Sequence, residues 1–129
     1  EVTGVRALLN FGHTIGHAIE SAMARRGQAW RHGEAVATGM IAAAEMSVAS
    51  GRLDRASAQR IAAVVERTGL PVDAPLADAR EELMTLVHAD KKVAAGQLRF
   101  VLADEIGRSG LYGGIELAWV EAGLDRVLR

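Results

Sequence analysis

Hydrophobic positions along this chain recur mostly at helical spacing. From about Gly4 to Arg25, apolar Val5, Leu8, Leu9, Ile15, Ala18 and Ile19 flank a polar line, which predicts one long first helix. The segment "RGQAWRHG" breaks that pattern and reads as a loop. "EAVATGMIAAAEMSVAS", residues 34 to 50, is apolar nearly all round, as expected for a helix buried on most sides, with Gly51 as its C-terminal stop. Asp54 is placed to cap a third helix reaching about Thr68, with Ile61, Ala62, Val64 and Val65 as its buried face. Gly69 and Pro71 close it. Asp78 is placed to cap a fourth helix through Leu83, Leu86 and Val87 to about Ala89. The pattern then changes: Leu98, Phe100 and Leu102 alternate with Arg99 and Val101, the period of a strand, and Ala95-Gly96 can turn a small hairpin with Val93 on its other arm. "IGRSGLYGG" reads as a glycine-rich connection and "ELAWVEAGLDRVL" as a last amphipathic helix. The expected fold is mainly α, a multi-helix domain with a short β-hairpin near residues 92–102.

Composition narrows this picture. The 129 residues fit one domain, half of them are hydrophobic, and aromatics make up only 4%, a mixture suited to closely packed helices. A formal net charge of −1 gives no bulk attraction for nucleic acid. There is no cysteine, which excludes disulfides and thiolate metal sites. No apolar run has the length of a membrane span and no signal peptide is visible, so a soluble cytoplasmic protein is the default expectation.

The candidate chemistry lies on the polar line of the first segment. At 100° per residue, Arg6, Asn10, His13 and His17 fall within about 60° of one another, and Glu20 joins them. A narrow polar seam between apolar flanks is expected to line a cleft, because burying such groups without partners costs several kcal/mol. One reading makes His13 and His17 core histidines bonded to backbone carbonyls, with Arg6 paired to Glu20 or another acid. The other makes the seam a site, since guanidinium suits carboxylate or phosphate and two imidazoles four apart can bind zinc. "HTIGH" lacks the glutamate of a metalloprotease H-E-x-x-H. His32, followed by Gly33, either caps the second helix or joins His13 or His17 in a metal site. His88 is read as a helix-terminal residue. Lys91 and Lys92 of "DKK" are either a solvated charge run or reach an anion across a cleft. The glycine pair Gly12 and Gly16 makes a smooth patch for close approach of another backbone or a ligand.

"RALLNFGHTIGHAIE", then "HGEAVATGM", then "DKKVAAGQLRFVLADEIG" resemble, in order, the C-terminal half of the 3-dehydroquinate synthase family. The resemblance covers roughly residues 1 to 110, and its motifs are far more specific than an H-x-x-x-H pair. It implies a helical domain, here residues 1–129, that in the family follows an N-terminal NAD-binding domain. It implies conversion of 3-deoxy-D-arabino-heptulosonate 7-phosphate to 3-dehydroquinate and phosphate in the shikimate pathway, with NAD and a divalent Zn (or Co) ion as cofactors. By the same resemblance His13 and His32 match metal ligands, the third being a glutamate that lies before residue 1. His17 and Lys92 match catalytic residues near the phosphate, and Arg6, Asn10, His17, Lys91 and Lys92 match substrate contacts. The family further implies a homodimer for the full-length protein and an inactive isolated domain. One departure stands out: "ESAMARRGQAW" is about two residues longer than usual, which should lengthen the loop ahead of His32 without moving it. Related readings are a sister sugar-phosphate cyclase making valiolone-type or aminocyclitol precursors, a metal-dependent alcohol or glycerol dehydrogenase, and a non-catalytic helical module.

Overall fold

A computed structural model describes residues 11–89, 100–105, 108–112 and 115–129 of the chain. These residues form helices α1 (His13–Arg25), α2 (His32–Ala49), α3 (Arg55–Arg67), a 3-10 turn (Ala77–Ala79) running into α4 (Arg80–Ala89), strands β1 (Phe100–Glu105) and β2 (Arg108–Tyr112), and α5 (Leu117–Val127). The mainly α fold is as expected.

The first helix is not the continuous element that periodicity predicts. Gly12 adopts φ 82°, a left-handed conformation that only glycine enters without strain, and α1 starts at the next residue. Residues 1–10, with Arg6 and Asn10 of the polar line, lie outside the described residues. Within α1, Ile15, Ala18, Ile19, Ala22 and Met23 are buried at i, i+3 and i+4 spacing. Its end carries the Schellman pattern, with Gln28 N–H to Met23 O at 3.0 Å and Gly27 N–H to Ala24 O at 3.1 Å.

Helix α2 is the centre of the molecule and packs against α1, α3, α5 and β1. Alanines fill its sides, with Ala35, Ala37, Ala42, Ala43 and Ala44 all buried. Small residues let neighbours come to backbone distance. A β-carbon on Gly39 would overlap the carbonyl oxygen of Gly12 and sit 2.7 Å from the Gly16 nitrogen. One on Gly16 would lie 3.1 Å from the Cα of Val36, and one on Gly123 of α5 would lie 2.8 Å from the Ala42 oxygen. The smooth patch inferred from Gly12 and Gly16 thus meets a backbone, that of α2. Gly51, at φ 82°, ends α2 as expected, with Arg52 N–H to Ser47 O at 3.0 Å.

Asp54 caps α3 by accepting from the Ser57 N–H at 2.7 Å. Its buried face is shifted from the predicted one: Ala58 and Val65 are buried, Ile61 and Ala62 are half-buried, and Val64 is 56% exposed. Asp78 sits inside the 3-10 turn rather than capping α4. The predicted hairpin turn at Ala95-Gly96 and its Val93 arm lie outside the described residues; β1 pairs antiparallel with β2, in the stretch read as a connection. Phe100 faces Tyr112 and Leu102 faces Gly110, with an irregularity between Ala103 and Glu105.

Two buried hydroxyls tie the irregular parts to α2. Ser47 donates to Ala43 O at 2.8 Å and accepts from the Ala103 N–H of β1 at 2.9 Å. Thr38 donates to the Pro71 carbonyl at 2.8 Å. At the far end, Ala74 forms a parallel bridge with Leu128, through Ala74 N–H to Val127 O at 2.7 Å and Arg129 N–H to Ala74 O at 3.0 Å. Among the described residues no helix is long and apolar enough to cross a membrane.

Candidate functional site

The site builds from one face of α1 and the first turn of α2. On α1, His13, His17 and Glu20 stay within about 60° of one another. That face is the least buried side of the helix: His13 and Glu20 are half-buried and His17 is exposed. Among the described residues this seam is the more exposed side of α1. The flanking Ile15 and Ile19 are fully buried, and they fix which way the seam points.

His32 is the first residue of α2, after the N-cap Arg31. The cap is closed by Glu34, whose Oε1 accepts from the Arg31 N–H at 2.8 Å, so His32 is not needed as a cap. Gly33 lies inside the helix and makes no turn. Because α1 and α2 meet at their glycines, His32 is brought over the α1 face. The ring centres of His13 and His32 are 5.5 Å apart, those of His13 and His17 5.6 Å, and those of His17 and His32 5.6 Å. Three imidazoles thus form a nearly equilateral triangle from two elements.

That spacing bears on a metal ion. With metal–nitrogen bonds of about 2.0–2.1 Å, each ring centre lies roughly 3.2 Å from the ion. Two rings then sit about 5.2 Å apart at a tetrahedral angle and about 5.5 Å at a trigonal one. The His13–His32 separation of 5.5 Å falls at the trigonal end of this range and the other two, at 5.6 Å, just beyond it, and imidazole suits zinc or cobalt. The side chains that could contribute are His13, His32 and His17, and ring spacing alone does not choose among the pairs. Among the described residues no group of three or more His, Cys, Asp or Glu is placed to hold a metal ion by itself.

For Glu20, one reading of the sequence offers Arg6 as partner, and Arg6 lies outside the described residues. The Glu20 Oε1 lies 3.0 Å from Nδ1 of His32, twelve residues away. The signal was its position one turn beyond His17 on the same face; the partner was not legible, because it comes from the next helix. Arg25 and Arg26 of the basic tail of α1 serve another end. Arg26 Nη1 bonds Glu82 Oε1 at 2.8 Å and Arg25 Nη1 bonds Oε2 at 3.2 Å. The Arg26 bond holds the Glu82 carboxyl below its usual range, and Glu82 in turn raises the Arg26 guanidinium. His88 has the expected helix-terminal place, its Nδ1 2.7 Å from Met84 O. A groove of about 450 Å³ is lined by Arg80, Glu81, Met84, Thr85 and Glu121, with none of the clustered histidines. Arg6, Asn10, Lys91 and Lys92 lie outside the described residues.

A small helical domain that presents an imidazole cluster on one open face is the class of protein defined so far. The comparison with known families makes it specific. Residues 1–93 match the 3-dehydroquinate synthase C-terminal family, and the chain belongs to that family. Its fold is shared by solved sugar-phosphate cyclases. A 2-deoxy-scyllo-inosose synthase complexed with carbaglucose-6-phosphate, NAD+ and Co2+ superposes with a TM-score of 0.76 at 23% identity, over 92% of this chain and 34% of that one. The 2-epi-5-epi-valiolone synthase of Streptomyces hygroscopicus subsp. jinggangensis 5008, with NAD+ and Zn2+ bound, gives 0.76 at 25% identity over 91% and 31%. The chain therefore spans about a third of the length of these enzymes.

Proposed function

We propose that this chain is the C-terminal, metal- and substrate-binding part of a 3-dehydroquinate synthase, which converts 3-deoxy-D-arabino-heptulosonate 7-phosphate to 3-dehydroquinate and phosphate. The observation that carries the reading is the convergence of His13, His17 and His32, from two helices, within a family whose solved relatives hold a divalent metal and NAD+. In this reading His13 and His32 are metal ligands and the third donor comes from an NAD-binding domain that also closes the open face of α1. A bound divalent ion supplies Lewis acidity at a substrate hydroxyl, and NAD exchanges the hydride.

The chain's own residues do the rest. His17, beside both ligands and exposed, binds the phosphate end of the substrate and can carry a proton to or from it. Arg6 and Asn10 grip the carboxylate and hydroxyl groups, and Lys91 and Lys92 add positive charge to the anion's pocket. Together they hold a polyanion in one orientation. The described residues do not by themselves form a complete ligand set, and without an NAD-binding domain the chain is expected to have no synthase activity.

The solved relatives give one specific reason for a second reading, a sister cyclase that acts on a sugar phosphate lacking the carboxylate. A turnover assay of the full-length protein with NAD and Zn2+ decides between them. Phosphate release from 3-deoxy-D-arabino-heptulosonate 7-phosphate, at least a hundredfold above that from a hexose 6-phosphate or a heptulose 7-phosphate without the carboxylate, is expected. The reverse order makes it a sister cyclase. No release from any of them, with equal zinc content in wild type, His13→Ala and His32→Ala, makes it a non-catalytic module.

A further inference from the structure

The triangle of imidazoles leaves one contact without a role. Among the described residues, Glu20 makes its side-chain contact with His32. A carboxylate only accepts, so the His32 Nδ1 must carry the proton in the 3.0 Å bond. A neutral imidazole has one N–H and one lone pair, so a proton on Nδ1 leaves the lone pair on Nε2. The two side chains come from different helices, and both remain partly exposed, with His32 at 54% and Glu20 at 37%. An imidazole with that much freedom does not keep one orientation by packing alone. The carboxylate holds both the ring angle and the tautomer.

We propose that Glu20 is the positioning residue of this site: it fixes His32 as the Nδ1–H tautomer and aims Nε2 at the centre of the histidine triangle, so that a divalent metal meets a preset donor. This rests on the metal-site reading above. Carboxylates behind ligating imidazoles act this way in general, and their loss costs about 10–100-fold in metal affinity. Glu20 is well placed for it. It lies on the same face as His13 and His17, and α1 is held to α2 by glycine contacts that leave little play. The geometry also fits better with positioning than with direct ligation, because Oε1 is already engaged with the ring that it would have to share.

The test has two readouts. In the metal-free full-length protein, long-range 1H–15N NMR of the His32 ring is expected to show the Nδ1–H tautomer. Glu20→Ala should lose that preference, and Glu20→Gln, whose amide oxygen can still accept, should keep it. In Co2+ titrations followed by visible absorption, Glu20→Ala should weaken binding about 10–100-fold, with Glu20→Gln between it and wild type. Far-UV circular dichroism and an unchanged tautomer state for His88 check that each variant folds. A wild-type Nε2–H tautomer overturns the proposal. So does Co2+ binding by Glu20→Ala equal to wild type, or a Glu20→Gln as weak as Glu20→Ala, which would make Glu20 a ligand itself. Failure of the wider reading looks different: His13→Ala and His32→Ala would then bind Co2+ as wild type does.

Discussion

The two ends of α2 obey opposite rules. The first turn carries a half-exposed histidine held by one hydrogen bond to Glu20. At Gly39 the same helix is packed so closely that a single methyl group would collide with a neighbour's backbone. The contrast shows how an open site can be accurate. The imidazole at the exposed end needs little packing of its own, because the buried length of the helix sets where that end lies relative to α1.

Filling the glycine contact should break the comparison most severely. Gly39→Ala places a methyl on the Gly12 and Gly16 backbone and should destabilise the fold by about 2–3 kcal/mol. Urea unfolding measures this, and the same variant should separate His13 from His32 and reduce metal affinity. An unchanged midpoint would mean that the helices can part without loss. Next is the buried hydroxyl at the other end. Ser47→Ala leaves the Ala103 N–H without its acceptor and should cost about 1–3 kcal/mol, with faster hydrogen exchange at that amide. Exchange as slow as in wild type would show that another acceptor takes over.

A third, smaller effect is readable through pH. Glu45 on α2 makes a two-pronged bond to Arg55 of α3, at 2.6 and 2.7 Å, and that bond holds its carboxyl below the usual range. A carboxylate depressed on folding stabilises above its unfolded value, and the contribution is lost as pH falls through the lower, folded value. Wild type should therefore lose more stability between about pH 6 and pH 3 than Glu45→Gln does, as read from urea midpoints. Parallel slopes would show that the pair contributes nothing. The smallest effects sharpen the contrast. His32→Ala and Val64→Ser should each change stability by no more than about 0.5 kcal/mol, while the first alone removes metal binding.

Much of this architecture could be read from the residues. Asp54, Gly51 and the alanine-rich run of α2 each follow from local chemistry, and they fall where expected. What could not be read depended on distant partners. Gly12 takes a left-handed φ where a β-carbon would collide with Met40 of α2, a close approach that only the packed helices reveal. The side of α3 was predicted from an apolar cluster, yet Val64 is turned to solvent while Ala58 and Val65 are buried and Ile61 and Ala62 pack against the core. β1 takes its partner from the glycine-rich stretch after it, where alternation is too weak to mark a strand. As for the candidate site, the family motif supplied the residues, while the triangle and its Glu20 support needed the two helices in place.

The meeting of Gly12, Gly16 and Gly39 has a mechanical consequence. Ridges that close cannot slide by a turn, since the next register would bring the β-carbon of Ala35 or Ala43 to the place that Gly39 now occupies. The gap between the imidazoles of residues 13 and 32 is thus decided by steric locking and not by the string of amino acids joining them. Evolution is free to lengthen or trim the connection at 26–31 while the chemistry stays aligned.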